Sequence, residues 1–180
     1  MRILKDQTIA IIVDVQERLF PVIHHNEKLS KNLEILVQGL KAIQIPIIVT
    51  EQYKKGLGET IEPIKALLPE ATYTDKIAFS CCDEPTFIAE IDKTNCKFVI
   101  LAGVEAHICL LQTAIDLKEK GYQPVVIEDC VASRDPENKR IAITRLVQEG
   151  VLISSSESIL FELCRYAGTE TFKTISKLVK

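Results

Sequence analysis

KFVILAGVEAHICLLQTA, residues 97–114, decides how this chain folds. Its first seven residues form an almost unbroken apolar and β-branched run, the kind buried on both faces of a parallel sheet. A helical pattern follows at once. Ile108, Leu111, Ile115 and Leu117 lie near helical spacing, and Gly121 stands where a C-terminal cap is expected. A strand that turns directly into a helix is the opening of a βαβ crossover, and Cys109 falls in the first turn. Free N–H groups and the positive end of the helix dipole there favour a thiolate. Cysteine is also among the most often buried residue types, so a plain packing role stands beside the nucleophilic one.

The same rhythm repeats outward in both directions. Apolar runs occur at 9–13 (IAIIV), 45–50 (IPIIVT), 97–103, 124–129 (PVVIED) and 151–155 (VLISS), with a minor strand at 71–76 (ATYTDK) as the sixth. Amphipathic stretches at about 27–43, 59–68, 84–92, 106–120, 136–149 and 157–166, and a last helix near 169–179, supply the crossovers. The economical solution is an α/β fold: a three-layer α/β/α, doubly wound, mainly parallel six-stranded sheet of Rossmann-like type. With 180 residues and no linker, repeat or low-complexity segment, the chain reads as one domain over 1–180. The stretch from Glu51 to Gly58 is its clearest loop, and GLG at 56–58 is read as a lid and not a nucleotide motif.

Composition narrows the partners. A net charge of −3 without a basic block argues against nucleic acid or an anionic membrane surface. Asp14 interrupts the first apolar run and no cleavage site follows, so the N-terminus is a strand and not a signal peptide. The expected location is cytoplasmic. Six irregularly spaced cysteines without a C-x-x-C pair favour reduced thiols over a disulfide framework or a structural zinc site.

In open α/β sheets the ligand site lies beyond the carboxyl ends of the strands. Three residues leave those ends with chemistry attached: Asp14 after IAIIV, Lys76 after the minor strand, and Cys109 after KFVILAG. Each alone is as easily a loop cap or an ion pair. Together they are a base for the thiol proton, a cation and a nucleophile, the set that cysteine acyl chemistry needs.

IIVDVQERLF (11–20), VTEQYKKGLG (49–58), DKIAFS (75–80), GVEAHICLLQTAIDL (103–117) and VIEDCVASRD (126–135) occur in one order and cover most of the chain. In them the sequence resembles the isochorismatase-like cysteine hydrolases, in particular the isochorismatase domain-containing subgroup. The resemblance implies Asp14 as general base, Lys76 as the residue that orients it and stabilises an anion, and Cys109 as nucleophile. It also implies a non-proline cis peptide between Val104 and Glu105, with the N–H groups of Glu105 and Cys109 forming an oxyanion hole. Related proteins assemble as dimers or larger, so a homo-oligomer is expected, with Thr169–Lys180 as a candidate contact.

Departures from the family pattern are informative. Ala106 and His107 stand where Thr and Asp are common, and residues two apart on a helix face different ways, which discounts a Cys109–His107 dyad. Metal-dependent relatives that hydrolyse nicotinamide carry Asp-x-His after the second strand. Glu51, Gln52 and Tyr53 stand there instead, and the histidines are His24, His25 and His107 alone, so neither a metal nor another cofactor is expected. Phe20, Gln52, Tyr53, Leu57 and Phe79 are the candidate substrate-binding residues, the apolar ones walling a pocket over the sulfur or, for Phe20 and Phe79, simply filling the core. The function expected is a metal-free hydrolase of a small amide or related acyl substrate through a Cys109 thioester. The alternatives are a vinyl-ether hydrolase, and a non-catalytic scaffold or thiol sensor in which Cys81 or Cys82 resolves an oxidised Cys109.

Overall fold

The computed structural model describes residues 1–180. Six strands, β1 (Thr8–Val13), β2 (Ile47–Gln52), β3 (Thr72–Lys76), β4 (Phe98–Val104), β5 (Gln123–Ala132) and β6 (Leu152–Ser154), form one sheet in the order β3-β2-β1-β4-β5-β6. Every pairing is parallel. The central strands β1 and β4 are buried along their whole length, which is why their sequences read as continuous apolar runs instead of alternating ones.

Helices cover both faces. On one, α1 (Asn26–Ile43), α3 (Glu62–Leu67), α7 (Ser156–Cys164) and α8 (Glu170–Leu178) pack against Ala10, Ile12, Ile100, Ala102 and Val125. On the other, α4 (Pro85–Asp92), α5 (Leu111–Glu119) and α6 (Pro136–Gln148) pack against Ile9, Ile11, Val13, Val99 and Leu101. The period-2 alternation of β1 thus divides one apolar run between two cores. Leu29, Leu33, Leu36, Val37, Leu40 and Ile43 form the buried stripe of α1, and each such side chain stabilises by roughly 1.5–3 kcal/mol. That helix stops at Gln44, whose φ of 68° is left-handed, two residues before Pro46.

Two local features differ from the expectations. The helix expected from residue 106 opens as a π-helical turn, Ala106–Leu110, and becomes α-helical only at Leu111. The Glu105 carbonyl accepts from both Ile108 N–H (3.1 Å) and Leu110 N–H (3.3 Å), which widens the turn. The loop read as a lid instead continues β2 to Gln52 and then forms a short helix, α2 (Lys54–Leu57). The C-terminal segment that is the candidate intersubunit contact packs one face within the chain, where α8 lies on α1 and α7 with Ile175 buried, and leaves Glu170, Lys173, Thr174 and Lys177 exposed.

The strand order reverses between β1 and β4, whose ends are in register at Val13 and Gly103. Residues leaving these two strands therefore meet in the crevice where such sheets bind ligands.

Candidate active site

Asp14 is the first residue beyond β1 and is fully buried. Its N–H donates to the Thr50 carbonyl at 3.1 Å, and its Oδ1 accepts from the Thr50 hydroxyl at 2.7 Å. Lys76 ends β3, next but one to β1, and its Nζ lies 2.8 Å from Asp14 Oδ2. The same ammonium donates to Gln52 Oε1 at 2.5 Å and to the carbonyls of Ala78 (3.2 Å) and Phe79 (3.1 Å). The approach to Oδ2 is close but off the hydrogen-bond direction, so Oδ2 is a buried oxygen that receives no hydrogen bond.

Cys109 comes from the other side of the switch point. Its Sγ is 4.0 Å from Gln52 Oε1, and the residue is 6 % exposed. Thr113, one turn on, donates to the Cys109 carbonyl at 2.6 Å and accepts from Cys81 N–H at 2.9 Å, anchoring the π-turn to the segment after β3. The structure thus brings Asp14, Lys76 and Cys109 together, from strand ends 62 residues apart in sequence for Asp14 and Lys76 and 33 for Lys76 and Cys109.

Their electrostatics depart from the expectation of a thiolate. Burial, then the negative charge of Asp14, push the Cys109 thiol well above its ordinary range, and the opposing pull of Lys76 does not prevail. Burial and the adjacent carboxylate both oppose the anion, and the turn that carries Cys109 is π-helical and not the start of a regular α-helix. For Lys76, burial works to lower its affinity for a proton, but the charge of Asp14 opposes this and the ammonium is held above its usual value. The resting centre is therefore a neutral thiol beside an ammonium–carboxylate pair.

The peptide bond between Val104 and Glu105 is cis. The Glu105 carboxylate turns away from the sulfur to accept from Arg134 N–H (2.9 Å) and Nε (3.1 Å), while the Glu105 N–H donates to no protein acceptor. His107 Nδ1 meets the Ser133 hydroxyl at 2.9 Å, so it is bound away from a dyad with Cys109. A separate cavity of about 510 Å³ lies past the ends of β5 and β6, lined by His24, Lys28, Asp129, Ser133 and Lys139 among others. It contains none of the three central residues.

The expected substrate-binding residues separate. Gln52 reaches the centre, its amide fixed by a bond from Nε2 to the Ile77 carbonyl at 2.7 Å. Tyr53 and Phe79 stand exposed beside it, so Phe79 fills no core. Leu57 is half-buried on α2. Phe20 packs partly buried against the α1-side core, in the opposite layer from Cys109, because the chain after β1 crosses toward α1. Glu51, at the position where metal-dependent relatives carry their ligand pair, is spent on Thr60 N–H (2.8 Å), the Thr60 hydroxyl (2.9 Å) and Lys54 Nζ (3.0 Å).

Sequence reasoning missed Thr50, Gln16 and Thr113. Thr50 carried a signal, being the one hydroxyl at the end of IPIIVT. Gln16 is buried and uses its whole amide on the segment after β2: Nε2 donates to the carbonyls of Gln52 (3.1 Å) and Gly58 (2.7 Å), and Oε1 accepts from Gln52 N–H (2.7 Å). These bonds are why the segment is pinned and not a lid.

Known proteins agree with this architecture. The family pattern described as Isochorismatase domain matches residues 8–158. The secreted isochorismatase effector Isc1 of Phytophthora sojae is 34 % identical over 188 aligned positions, covering 99 % of this chain and 87 % of its own. The solved MAR1 ribonuclease of Caenorhabditis elegans superposes with a TM-score of 0.93 at 32 % identity, covering 99 % and 92 %. The YcaC gene product of Escherichia coli, an octameric hydrolase of unknown specificity, shares the fold with a TM-score of 0.93 at 23 % identity, covering 98 % and 88 %. The chain belongs to the isochorismatase family and has the fold of its hydrolases.

Proposed function

We propose that this protein is a metal-free cysteine hydrolase acting, as a single domain, on a small amide or related acyl substrate. The observation that carries the reading is the buried contact set of Asp14, Lys76 and Cys109 beside an uncommitted Glu105 N–H. The thiol starts neutral, so Asp14 takes its proton as sulfur attacks the acyl carbon. The developing oxyanion is met by the N–H groups of Glu105 and Cys109. Collapse breaks the carbon–nitrogen bond, and Asp14 returns the proton to the leaving amine. Water, deprotonated by Asp14, then cleaves the thioester, releasing the carboxylic acid and restoring the thiol. Lys76 acts through Asp14, pairing with and orienting the carboxylate that accepts the proton, while the sulfur itself starts as a neutral thiol.

Gln52, Tyr53 and Phe79 at the mouth fit a substrate with a polar acyl end and an apolar body. Six free thiols suit a reducing compartment, here the cytoplasm. Exposed Ile141, Val147 and Tyr166 suit burial between copies of a homo-oligomer. RNA cleavage, named in the C. elegans relative, is a poorer fit, since the net charge is −3 and the central ammonium is buried against Asp14.

The test is amine release from a panel of small amides by wild type and Cys109→Ala, with intact mass spectrometry for an acyl-enzyme and an RNA oligonucleotide as control. A mass adduct on Cys109 and loss of turnover in Cys109→Ala are expected. Undiminished turnover in Cys109→Ala would sink the thioester route, and in that variant hydrolysis of a vinyl ether would support the alternative chemistry.

A further inference from the structure

Asp14 has φ of 53°, a left-handed conformation that a residue other than glycine keeps only when held there. Thr50 holds it at both ends, through its carbonyl to the Asp14 N–H and through its hydroxyl to Oδ1. The Thr50 hydroxyl has one proton, and that proton goes to the carboxylate. Its oxygen in turn faces the buried Cys81 thiol, with Sγ at 3.9 Å. Thr50 is itself fully buried. Valine has the same shape without the desolvation of a hydroxyl, so the buried hydroxyl of Thr50 is offset only by what it bonds. The effect on Asp14 is asymmetric: Oδ1 accepts from the Thr50 hydroxyl, while Oδ2 lies beside Lys76 and receives no hydrogen bond.

We propose that Thr50 is a positioning residue that fixes the Asp14 carboxylate so that Oδ2, and not Oδ1, takes the Cys109 proton. The inference rests on the reading of Asp14 as the base. A carboxylate free to turn about its Cβ–Cγ bond presents either oxygen to the thiol, and a base that is misplaced loses rate steeply. The Thr50 hydroxyl removes that freedom, and the Cys81 thiol at its other side limits the rotation of the hydroxyl itself.

The test is the rate of Cys109 alkylation by iodoacetamide, followed by site-resolved mass spectrometry, from about pH 5 to about pH 10, across the ordinary thiol range. Wild type, Thr50→Val, Thr50→Ser and Asp14→Asn are compared as full chains. Wild type shows a plateau of reactivity below the ionisation of the thiol itself, where Asp14 assists, and Asp14→Asn loses it. Thr50→Val lowers the plateau about tenfold, a part of what a general base supplies. Thr50→Ser restores the plateau. A role in packing alone lowers thermal stability and leaves the plateau in place. If Thr50→Val superimposes on wild type while Asp14→Asn loses the plateau, the positioning role is wrong and the base stands. If Asp14→Asn keeps the plateau, both fall. Thr50→Ala is run in parallel and read the same way, in case the second methyl of valine misfits.

Discussion

Lys76 Nζ stands 2.8 Å from Asp14 Oδ2, and neither side chain exposes more than 1 % of its surface. Two charges from strands that are not neighbours are thus neutralised inside the crevice, with β2 between them supplying Thr50 to one and Gln52 to the other. The pair lies at the heart of the proposed site, and its energetics are those of a buried ion pair.

Removing one member leaves the other charged and dry, which costs about 3–5 kcal/mol. Lys76→Met is expected to lose stability on that scale in urea unfolding, with reactivity at Cys109 disturbed as well. The double variant Asp14→Asn/Lys76→Met recovers a good part of the loss. Strict additivity of the two single changes would show that the charges do not stabilise one another.

Alkaline pH tests the buried thiols. Burial first, and then the charge of Asp14, push the Cys81 thiol up to about 11 from 9.0. A folded value above the unfolded one means that the folded chain keeps a proton the unfolded chain releases, so stability is intact below pH 9 and declines toward pH 11. Two units correspond to about 3 kcal/mol. Cys82, pushed up to about 12 by burial first and Cys81 second, extends the decline. Thermal melts at stepped pH should show Cys81→Ala declining less steeply than wild type; parallel curves would assign the alkaline loss elsewhere.

Gly103, at φ of 122°, lies where β4 approaches β1 most closely. A methyl group there would sit 2.1 Å from the Val13 carbonyl oxygen and 2.8 Å from its nitrogen, both main-chain atoms that cannot move aside. Gly103→Ala therefore forces apart the strands that deliver Asp14 and Glu105, at a cost of more than about 3 kcal/mol. Circular dichroism melts of the purified variant provide the check, and a Tm within a few degrees of wild type, less than about 1 kcal/mol, would contradict it.

Gln16→Leu removes three hydrogen bonds and leaves the main chain of Gln52 and Gly58 short of partners. Hydrogen exchange at the amides of residues 52–58 is expected to accelerate by about tenfold or more, equivalent to 1.4 kcal/mol of lost local protection. Exchange in α1 should be unchanged, and acceleration there to the same degree would mean global destabilisation instead.

Much of this architecture is legible in the sequence. Unbroken apolar runs at 9–13 and 97–103 can only be strands covered on both faces, and amphipathic helices between them dictate parallel pairing. The candidates Asp14, Lys76 and Cys109 follow from one rule about strand ends. What remained hidden depended on neighbours distant in sequence. The burial of Gln16, the short helix at 54–57 and the course of Phe20 toward the α1 side each follow from side-chain packing that no local pattern encodes.

Sequence alone determined the strand order of chemistry: which residues leave the carboxyl ends, and that a carboxylate, an ammonium and a thiol are among them, because hydrophobic periodicity is a local property. Tertiary structure decided their protonation and their geometry. A thiol at a helix start favours the anion when it faces water, but Cys109 is packed in a dry crevice against Asp14, and the same residue there keeps its proton. Burial and the Asp14 charge set that protonation, and both arise only when the sheet closes.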